Sequence, residues 1–376
     1  MAGHVKTHLD GDTLAAALRS GIHRVLSQQD FLNKINVFPV ADSDTGTNMG
    51  LSLGAALPVL NRPGEKHLGT MLAAIADVLL DSSRGNSGAI VAQFFQGVSD
   101  AAGEITRFTT YTFSKAVSLG NEYAHDALSQ PREGTILSVI AAFARSIAQH
   151  LKSEPDAAFH TVFARARDHV ETALAETPKQ LDVLRKAGVV DAGAKGFAEL
   201  VAGMTEYFVD GTEAPLPDSS LAHSDEAVVE FSEADNVSQY RYCTECIIKG
   251  DVIDRRKLRE ALAELGDSIV LAGSKRKAKI HIHVDDPEIV FDTARRFGKL
   301  SQEKADDMHR QQHATHEGKR KFAVVVDSGA DISEADMERL DIHMVPTRIQ
   351  FGDHGYLDKL SITIDEFYEE LASNPH

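Results

Sequence analysis

The sequence predicts a multi-domain protein: an all-α first part, then a small α+β domain, then the opening of an α/β segment. Three observations carry this. Apolar residues recur at helical spacing up to about residue 210. The period then shortens to two in several short runs. Between the two regimes, residues 211–227 are rich in Pro, Ser and acids and show no periodicity, which marks a linker. A chain of 376 residues has room for two or three domains, each with its own core.

In the first part, residues 12–28 place Leu14, Leu18, Ile22 and Leu26 on one stripe. The pattern repeats over residues 71–80, 89–98, 113–128, 136–151, 157–174 and 196–208, with abundant alanine and few β-branched runs. Gly, Asn, Asp and Ser gather at the joints, so polar, backbone-flexible chemistry falls at helix ends. In the second part, residues 228–231, 240–248, 268–272 and 279–284 read as strands, and 254–265 and 287–297 as helices. Residues 301–320 are polar throughout and read as a second linker or an exposed helix. Residues 322–326 are a buried-strand run followed by an Asp-Ser-Gly-Ala-Asp turn. The expected domains are residues 8–210, residues 228–300 and an incomplete segment, 321–376, too short for a typical domain and suggestive of a longer parent.

Composition excludes several classes. With 39 Lys+Arg against 56 Asp+Glu, the net charge of −17 argues against non-specific nucleic-acid binding. Residues 322–376 alone hold 12 acidic and 3 basic residues. Two cysteines make no disulfide framework. No apolar run approaches the roughly 20 residues of an integral membrane segment. The N-terminus has no apolar signal core, so a cytoplasmic location is expected.

The most informative stretch runs from Asn36 through Asp42, Asp44, Thr45, Gly46 and Thr47 to Asn48. Two carboxylates at i and i+2 in a loop can converge on a hard cation such as Mg²⁺, with Asn36 and Asn48 as neutral oxygens. The helix that follows offers free N–H groups to an anion. Metal beside helix N-terminus is what a nucleotide's phosphates need; the plainer alternative is a turn with a helix cap. Two further loops, Ser82 to Gly88 and Gly188 to Gly196, also lead into helices and offer small residues and amides. Both also fit interhelical turns with capping glycines. The second misses a Walker loop, because Ala194 stands where the Lys belongs and no strand precedes it. No GxGxxG occurs, so a Rossmann site is not indicated.

In the second part, His281 and His283 alternate along a strand and share a face. With Cys243 on another strand they would make a Zn²⁺ site with a fourth position open; structural packing is the alternative. Cys246, three residues on, faces the other side and is not counted as a ligand. Asp285 shares the histidines' face and is expected to support one of them by a hydrogen bond.

These motifs, in this order, resemble the L (nucleotide-binding) subunit of dihydroxyacetone kinases (DhaL-like) and, more nearly, the kinase subunit of bacterial fatty acid kinase (the FakA family). The resemblance rests on NVFPVADSDTGTNM, SSRGNSG, the Arg132 to Thr135 turn and GVVDAGAKG. It implies a helical barrel over residues 8–210 that holds ATP and two Mg²⁺ at one end. Asp42 and Asp44 then match the Mg²⁺ ligands, with Asn36 nearest to a third. Thr45, Gly46, Thr47 and Asn48 match phosphate contacts. Ser87 and Gly88 match the second nucleotide loop, and Asp191, Ala192 and Gly193 the third. Ser43 stands where the family usually has glycine. YCTEC and IHIHVDDP resemble the FakA-like middle domain, which implies zinc on Cys243, His281 and His283. Asp327 to Asp331 and residues 345–371 resemble the start of a DegV-like fatty-acid-binding protein, although a plain strand-to-helix turn accounts for Asp327 and Ser328 equally. The implied function is Mg²⁺- and ATP-dependent phosphorylation of a fatty acid carboxylate presented by a DegV-like acyl-binding domain or partner, in a homodimer. A carboxylate acceptor is ionised near pH 7 and needs no general base. The other readings are a non-catalytic lipid-binding scaffold and a dihydroxyacetone-type kinase subunit.

Overall fold

The computed structural model describes residues 7–39, 44–62, 67–211, 213–214, 240–308, 324–340, 342–345, 347–351, 354–358, 362 and 364–373. Asp42, Ser43 and the expected strand at 228–231 lie outside them. The chain divides into two compact units, Met1–His309 and Arg310–His376.

The first unit begins with two short paired strands, β1 (His8–Asp10) and β2 (Arg107–Thr109), each leading directly into a helix. Asp10 accepts from the Thr13 N–H at 2.8 Å and so starts α1 (Gly11–Ser27). Thr109 and Thr112 form a reciprocal capping box that starts α7 (Thr110–Asp126). The other helices of this part are α2 (Gln29–Lys34), α3 (Thr45–Gly54), α4 (Leu57–Asn61), α5 (Leu68–Ser82), α6 (Gly85–Ala102), α8 (Ile136–Ser153), α9 (Phe159–Gln180), α10 (Asp182–Ala187) and α11 (Ala192–Asp210). Every stretch with helical periodicity lies largely inside one of them. The short α2, α4 and α10 span too few turns to show a stripe.

These helices surround a core of aromatic rings. Phe197 stands edge-on to Phe94 at 5.5 Å and to Phe143 at 5.9 Å, and Phe113 meets Phe163 at 5.5 Å. The void between them is about 30 Å³ and wholly apolar. It is the size of a single water and offers that water no partner. The barrel is therefore a packed core.

The second part of the unit is a four-stranded antiparallel sheet, ordered β4-β5-β3-β6, from β3 (Tyr242–Lys249), β4 (Asp267–Gly273), β5 (Lys277–Val284) and β6 (Lys299–Asp307). Its two faces differ because the sequence alternates. Cys246, Ile248, Ile280 and Ile282 pack with Leu258 and Leu262 of α12 (Arg255–Ala263) and with Val290 and Phe291 of α13 (Pro287–Arg295). The other face carries Cys243, Glu245, Lys279, His281 and His283, in keeping with the two-residue period. β6 corrects one expectation. Residues 301–307, read as linker or exposed helix, form an edge strand paired with β3. Ser301, Gln302, Glu303, Lys304 and Ala305 are all exposed, so no apolar alternation announces the strand. Backbone bonds to β3 hold it, across a bulge near Gln302, whose φ is +53°.

The sheet docks on the helical part along β4. The Leu271 N–H donates to the Ala127 carbonyl at 2.8 Å, and the Ser129 N–H to that of Ile269 at 3.2 Å. Val270 and Ala272 bury themselves among Leu80, Ala89 and Ala127. The Gly273 N–H reaches the buried Gln93 side chain at 2.8 Å, and Lys277 pairs with Asp77 at 2.8 Å and Asp81 at 2.6 Å, both on α5.

The second unit holds a parallel pair, β7 (Val324–Asp327) and β8 (Ile342–Val345), with α14 (Glu334–Leu340) between them in sequence. An antiparallel pair, β9 (Arg348–Phe351) and β10 (His354–Leu357), and a helix, α15 (Ile364–Ser373), complete it. After β7, the buried Ser328 hydroxyl meets the Thr347 hydroxyl at 2.6 Å, and the Asp327 carboxylate accepts from the Gly329 N–H at 3.0 Å. Among the described residues no helix is long and apolar enough to cross a membrane.

Candidate nucleotide and metal sites

The first turns of α3, α6 and α11 meet at one end of the helical part. Contacts that only glycine permits bring them together. A Cβ on Gly88 would lie 2.4 Å from the Ser52 hydroxyl, and one on Gly193 would lie 2.5 Å from that of Ser87. Gly85, at φ +58°, faces the Asn48 amide, 2.9 Å from where its own Cβ would stand. So α6 starts against α3 on one side and α11 on the other. Neither Asp44 nor Arg84 closes its helix with a side-chain cap. Among the described residues neither cap residue covers these first turns; Asn33 takes the Thr47 N–H of α3, and the other helix-start amides are the kind that favour an anion. Asn86 adds a buried Oδ1 with no hydrogen-bond partner among the described residues.

The predicted residues divide here. Asn48, Ser87, Gly88 and Gly193 come together. Thr45 and Gly46 open α3, where a Cβ on Gly46 would meet the Gln29 carbonyl at 2.1 Å, seating the helix on α2. Thr47 is tied to α2 as well: Asn33 donates to its hydroxyl at 3.0 Å and accepts from its N–H at 3.0 Å. Asn36 is buried just after α2. Asp44 stands at the N-cap position of α3 without a side-chain cap bond, and Asp42 is outside the described residues.

Asp191 is buried and spends its carboxylate on helix starts. It accepts from the Ala194 N–H at 2.8 Å in the first turn of α11, next to Ala192 and Gly193, and bonds the backbone of Ile136 at the start of α8. Burial raises its pKa to about 6 against the pull of those two bonds. Lys195, one turn in, pairs with Glu199 at 2.5 Å, so it is engaged along the helix.

The second site is on the polar face of the sheet. Cys243 lies opposite His283 in the β3–β5 register, and Glu245 opposite His281. The ligand atoms of Cys243, His281 and His283 all lie within 4.8 Å of one another, with both histidines buried. A thiol and two imidazoles this close are a donor set suited to Zn²⁺. The Cys243 sulfur is 3.6 Å from His281 Nδ1. His283 Nδ1 is buried with no hydrogen-bond partner among the described residues. Glu245 holds His281 Nδ1 at 2.9 Å, which leaves Nε2 as the nitrogen for a ligand. Asp285, expected in that supporting role, instead accepts from the Arg241 N–H at 3.1 Å.

The electrostatics follow the contacts. Burial opposes the charge on Glu245, but His281 and Lys279 outweigh it and pull the carboxyl down to about 2. Burial opposes the charge on His281 too, yet Cys243 and Glu245 carry it well above the usual value. Burial, then the neighbouring His281, pushes His283 down to about 4. Cys246, on the apolar face, has its thiol pushed up to about 12 by burial. Two residues here were not expected from the sequence. Glu245 sits two places after Cys243 and Lys279 two places before His281, so the same period of two that paired the histidines marks both.

A helical domain with glycine-stapled helix starts is thus joined to a sheet that carries a thiol–imidazole cluster. Residues 39–206 match the family model of the DAK2 domain, residues 239–315 that of the FakA-like middle domain of fatty acid kinase, and residues 321–376 that of the DegV family. The chain therefore carries a DAK2 domain, a FakA-like middle domain and a DegV segment, the make-up of a kinase-related protein. Protein YloV of Bacillus subtilis is 30% identical over 317 residues, which span 82% of this chain and 57% of that protein. An uncharacterized protein of Staphylococcus saprophyticus is 28% identical over 313 residues, 81% of this chain and 56% of its own length. The chain thus spans a little over half of these relatives. Among solved structures, the dihydroxyacetone kinase from C. freundii in complex with AMP-PNP and Mg²⁺ shows 18% identity and a TM-score of 0.41 over 55% of this chain and 36% of that one. At that level the likeness adds nothing to the reading of the site.

Proposed function

We propose that this chain is an ATP-dependent phosphotransferase that converts a fatty acid carboxylate to an acyl phosphate. The observation that carries the reading is the meeting of the α3 and α6 starts through glycine contacts, with neither closed by its cap residue. Backbone amides at such a place suit the phosphates of a nucleotide. Asp44, with Asp42 in the same loop, would hold Mg²⁺, which when bound offsets phosphate charge. Asn48, Ser87 and Gly88 would line the phosphates, and Asp191, Ala192 and Gly193 would fix the third loop. Cys243, His281 and His283 would hold zinc, supported by Glu245.

The acceptor carboxylate attacks the terminal phosphorus, the bond to the ADP oxygen breaks, and a mixed anhydride and ADP result. The acceptor is ionised near pH 7, so the protein need supply only position and charge. The packed barrel supports an acceptor whose chain is carried elsewhere, because a void of about 30 Å³ has no room for an acyl tail. A DegV-type acyl-binding domain or partner is the natural carrier, given the family match at residues 321–376.

The test is turnover with Mg²⁺, ATP and a fatty acid, with and without a DegV-type acyl-binding protein, trapping acyl phosphate as the hydroxamate. Carrier-dependent hydroxamate that disappears in Asp44→Ala is the expected result. ATP consumption without hydroxamate, or turnover indifferent to Asp44→Ala, contradicts the proposal.

A further inference from the structure

The sheet cluster and the helical loops meet at one peptide group. Ser83 ends α5 and Arg84 precedes α6, so the unit joining them, the Ser83 carbonyl and the Arg84 N–H, orients the start of α6. Each end of that unit is held from a different domain. The Arg84 N–H donates to the Ser52 hydroxyl of α3 at 3.0 Å. The Ser83 carbonyl accepts from the Lys279 ammonium of β5.

Lys279 is only 8% exposed, and burying an ammonium is costly without partners. Its second partner is Glu245, at 3.7 Å. Glu245 in turn holds His281 at 2.9 Å, and His281 faces Cys243. One unbroken run of contacts therefore leads from the thiol–imidazole cluster through Glu245 and Lys279 to the peptide that aims the first turn of α6. The neighbouring Lys277 is satisfied separately by Asp77 and Asp81 and fastens the domains without touching that peptide.

We propose that Lys279 is a positioning residue that transmits the state of the Cys243–His281–His283 cluster to the phosphate-facing start of α6, so that metal on the sheet sets nucleotide affinity on the helices. The inference rests on the nucleotide reading of the helical loops and adds the device that regulates it. A metal on Cys243, His281 and His283 fixes the His281 ring, and with it the Glu245 carboxylate that shares Lys279 with Ser83. Loss of that order lets the ammonium shift toward Glu245 and frees the peptide to turn.

The experiment measures binding of a non-hydrolysable ATP analogue with Mg²⁺ to the 376-residue chain by calorimetry, with zinc content read in parallel. Lys279→Met should weaken nucleotide binding about tenfold with metal content unchanged, while Lys279→Arg, which keeps a donor for Ser83, should stay within about threefold of wild type. Stripping the transition metal from wild type with phenanthroline, with Mg²⁺ in excess, should weaken binding by a similar factor and have no further effect in Lys279→Met. Affinity in Lys279→Met within twofold of wild type overturns the proposal, as does an equal effect of stripping in both chains. If Lys279→Met does not fold, the wild-type arm decides: affinity indifferent to stripping overturns the proposal. A wild-type chain that binds no nucleotide overturns the functional reading and this inference together. Nucleotide binding that ignores Lys279 removes the inference alone.

Discussion

In the proposed helical site, the groups that would face a ligand are backbone amides in the first turns of α3 and α6, and the side chains around them are small so that backbones can meet. On the sheet the β3–β5 ladder is regular, and the proposed ligand groups are a thiol and two imidazoles brought together by its register. The helical site therefore depends on what is missing from side chains, a Cβ at Gly85, Gly88 and Gly193. The sheet site depends on what is present. The first tolerates almost no enlargement, and the second almost no truncation.

The comparison is sharpest if both sites belong to one folding unit. Val270→Asp would bury an unpaired charge among Leu80, Ala89 and Ala127, at a cost of about 4 kcal/mol. Denaturant unfolding of the variant should show a large fall in stability, and a fall confined to a separate sheet transition would mean the two parts fold independently.

Asp191 tests the helical side through pH. Its folded pKa of about 6 lies above the ordinary 3.8, so the folded state holds the proton more tightly. That contribution is present below about pH 4 and is lost as pH rises through 6, a swing of about 3 kcal/mol from the shift. Asp191→Asn, which can still cap, has no such loss. The stability of the variant relative to wild type should therefore improve between pH 4 and 7, as read from urea midpoints at each pH. A difference independent of pH would show that Asp191 does not titrate there.

Gly88→Val should weaken nucleotide binding at least about tenfold, because its new carbons meet Ser52, and should cost about 2 kcal/mol in stability. Zinc content should not change. The smallest effect separates the two faces of the sheet. Cys246→Ala should cost about 1 kcal/mol and keep the metal, whereas His283→Ala should lose the metal. Loss of metal in Cys246→Ala would place the site on the wrong face.

The two regions were also unequally legible. The shared face of His281 and His283 was readable because a strand converts a spacing of two into one face, while Cys243 joins them only through the register of β3 and β5. Glu245 and Lys279 obey the same rule, but a lone carboxylate and a lone ammonium on a strand carry no chemistry until their partners are known. At the helical end the glycines marked the loops, yet which helix starts meet is a tertiary fact. Asn33 and Gln29, which grip Thr47, lie on a helix too short to show a period. The edge strand β6 was invisible because Ser301 to Ala305 are all exposed and show no apolar alternation, and backbone pairing with β3 makes the strand. The docking of β4 on the helical part could not be read at all, since it joins residues as distant as Gln93 and Gly273 through single contacts.

The helix starts of α3 and α6 are proposed to form a Mg²⁺-dependent nucleotide site. Calorimetric titration of the chain with a non-hydrolysable ATP analogue, with and without Mg²⁺, tests it most directly. Saturable one-to-one binding that needs Mg²⁺ and is lost in Gly88→Val is the expected result. No binding, or binding that survives both the removal of Mg²⁺ and the substitution, would contradict it.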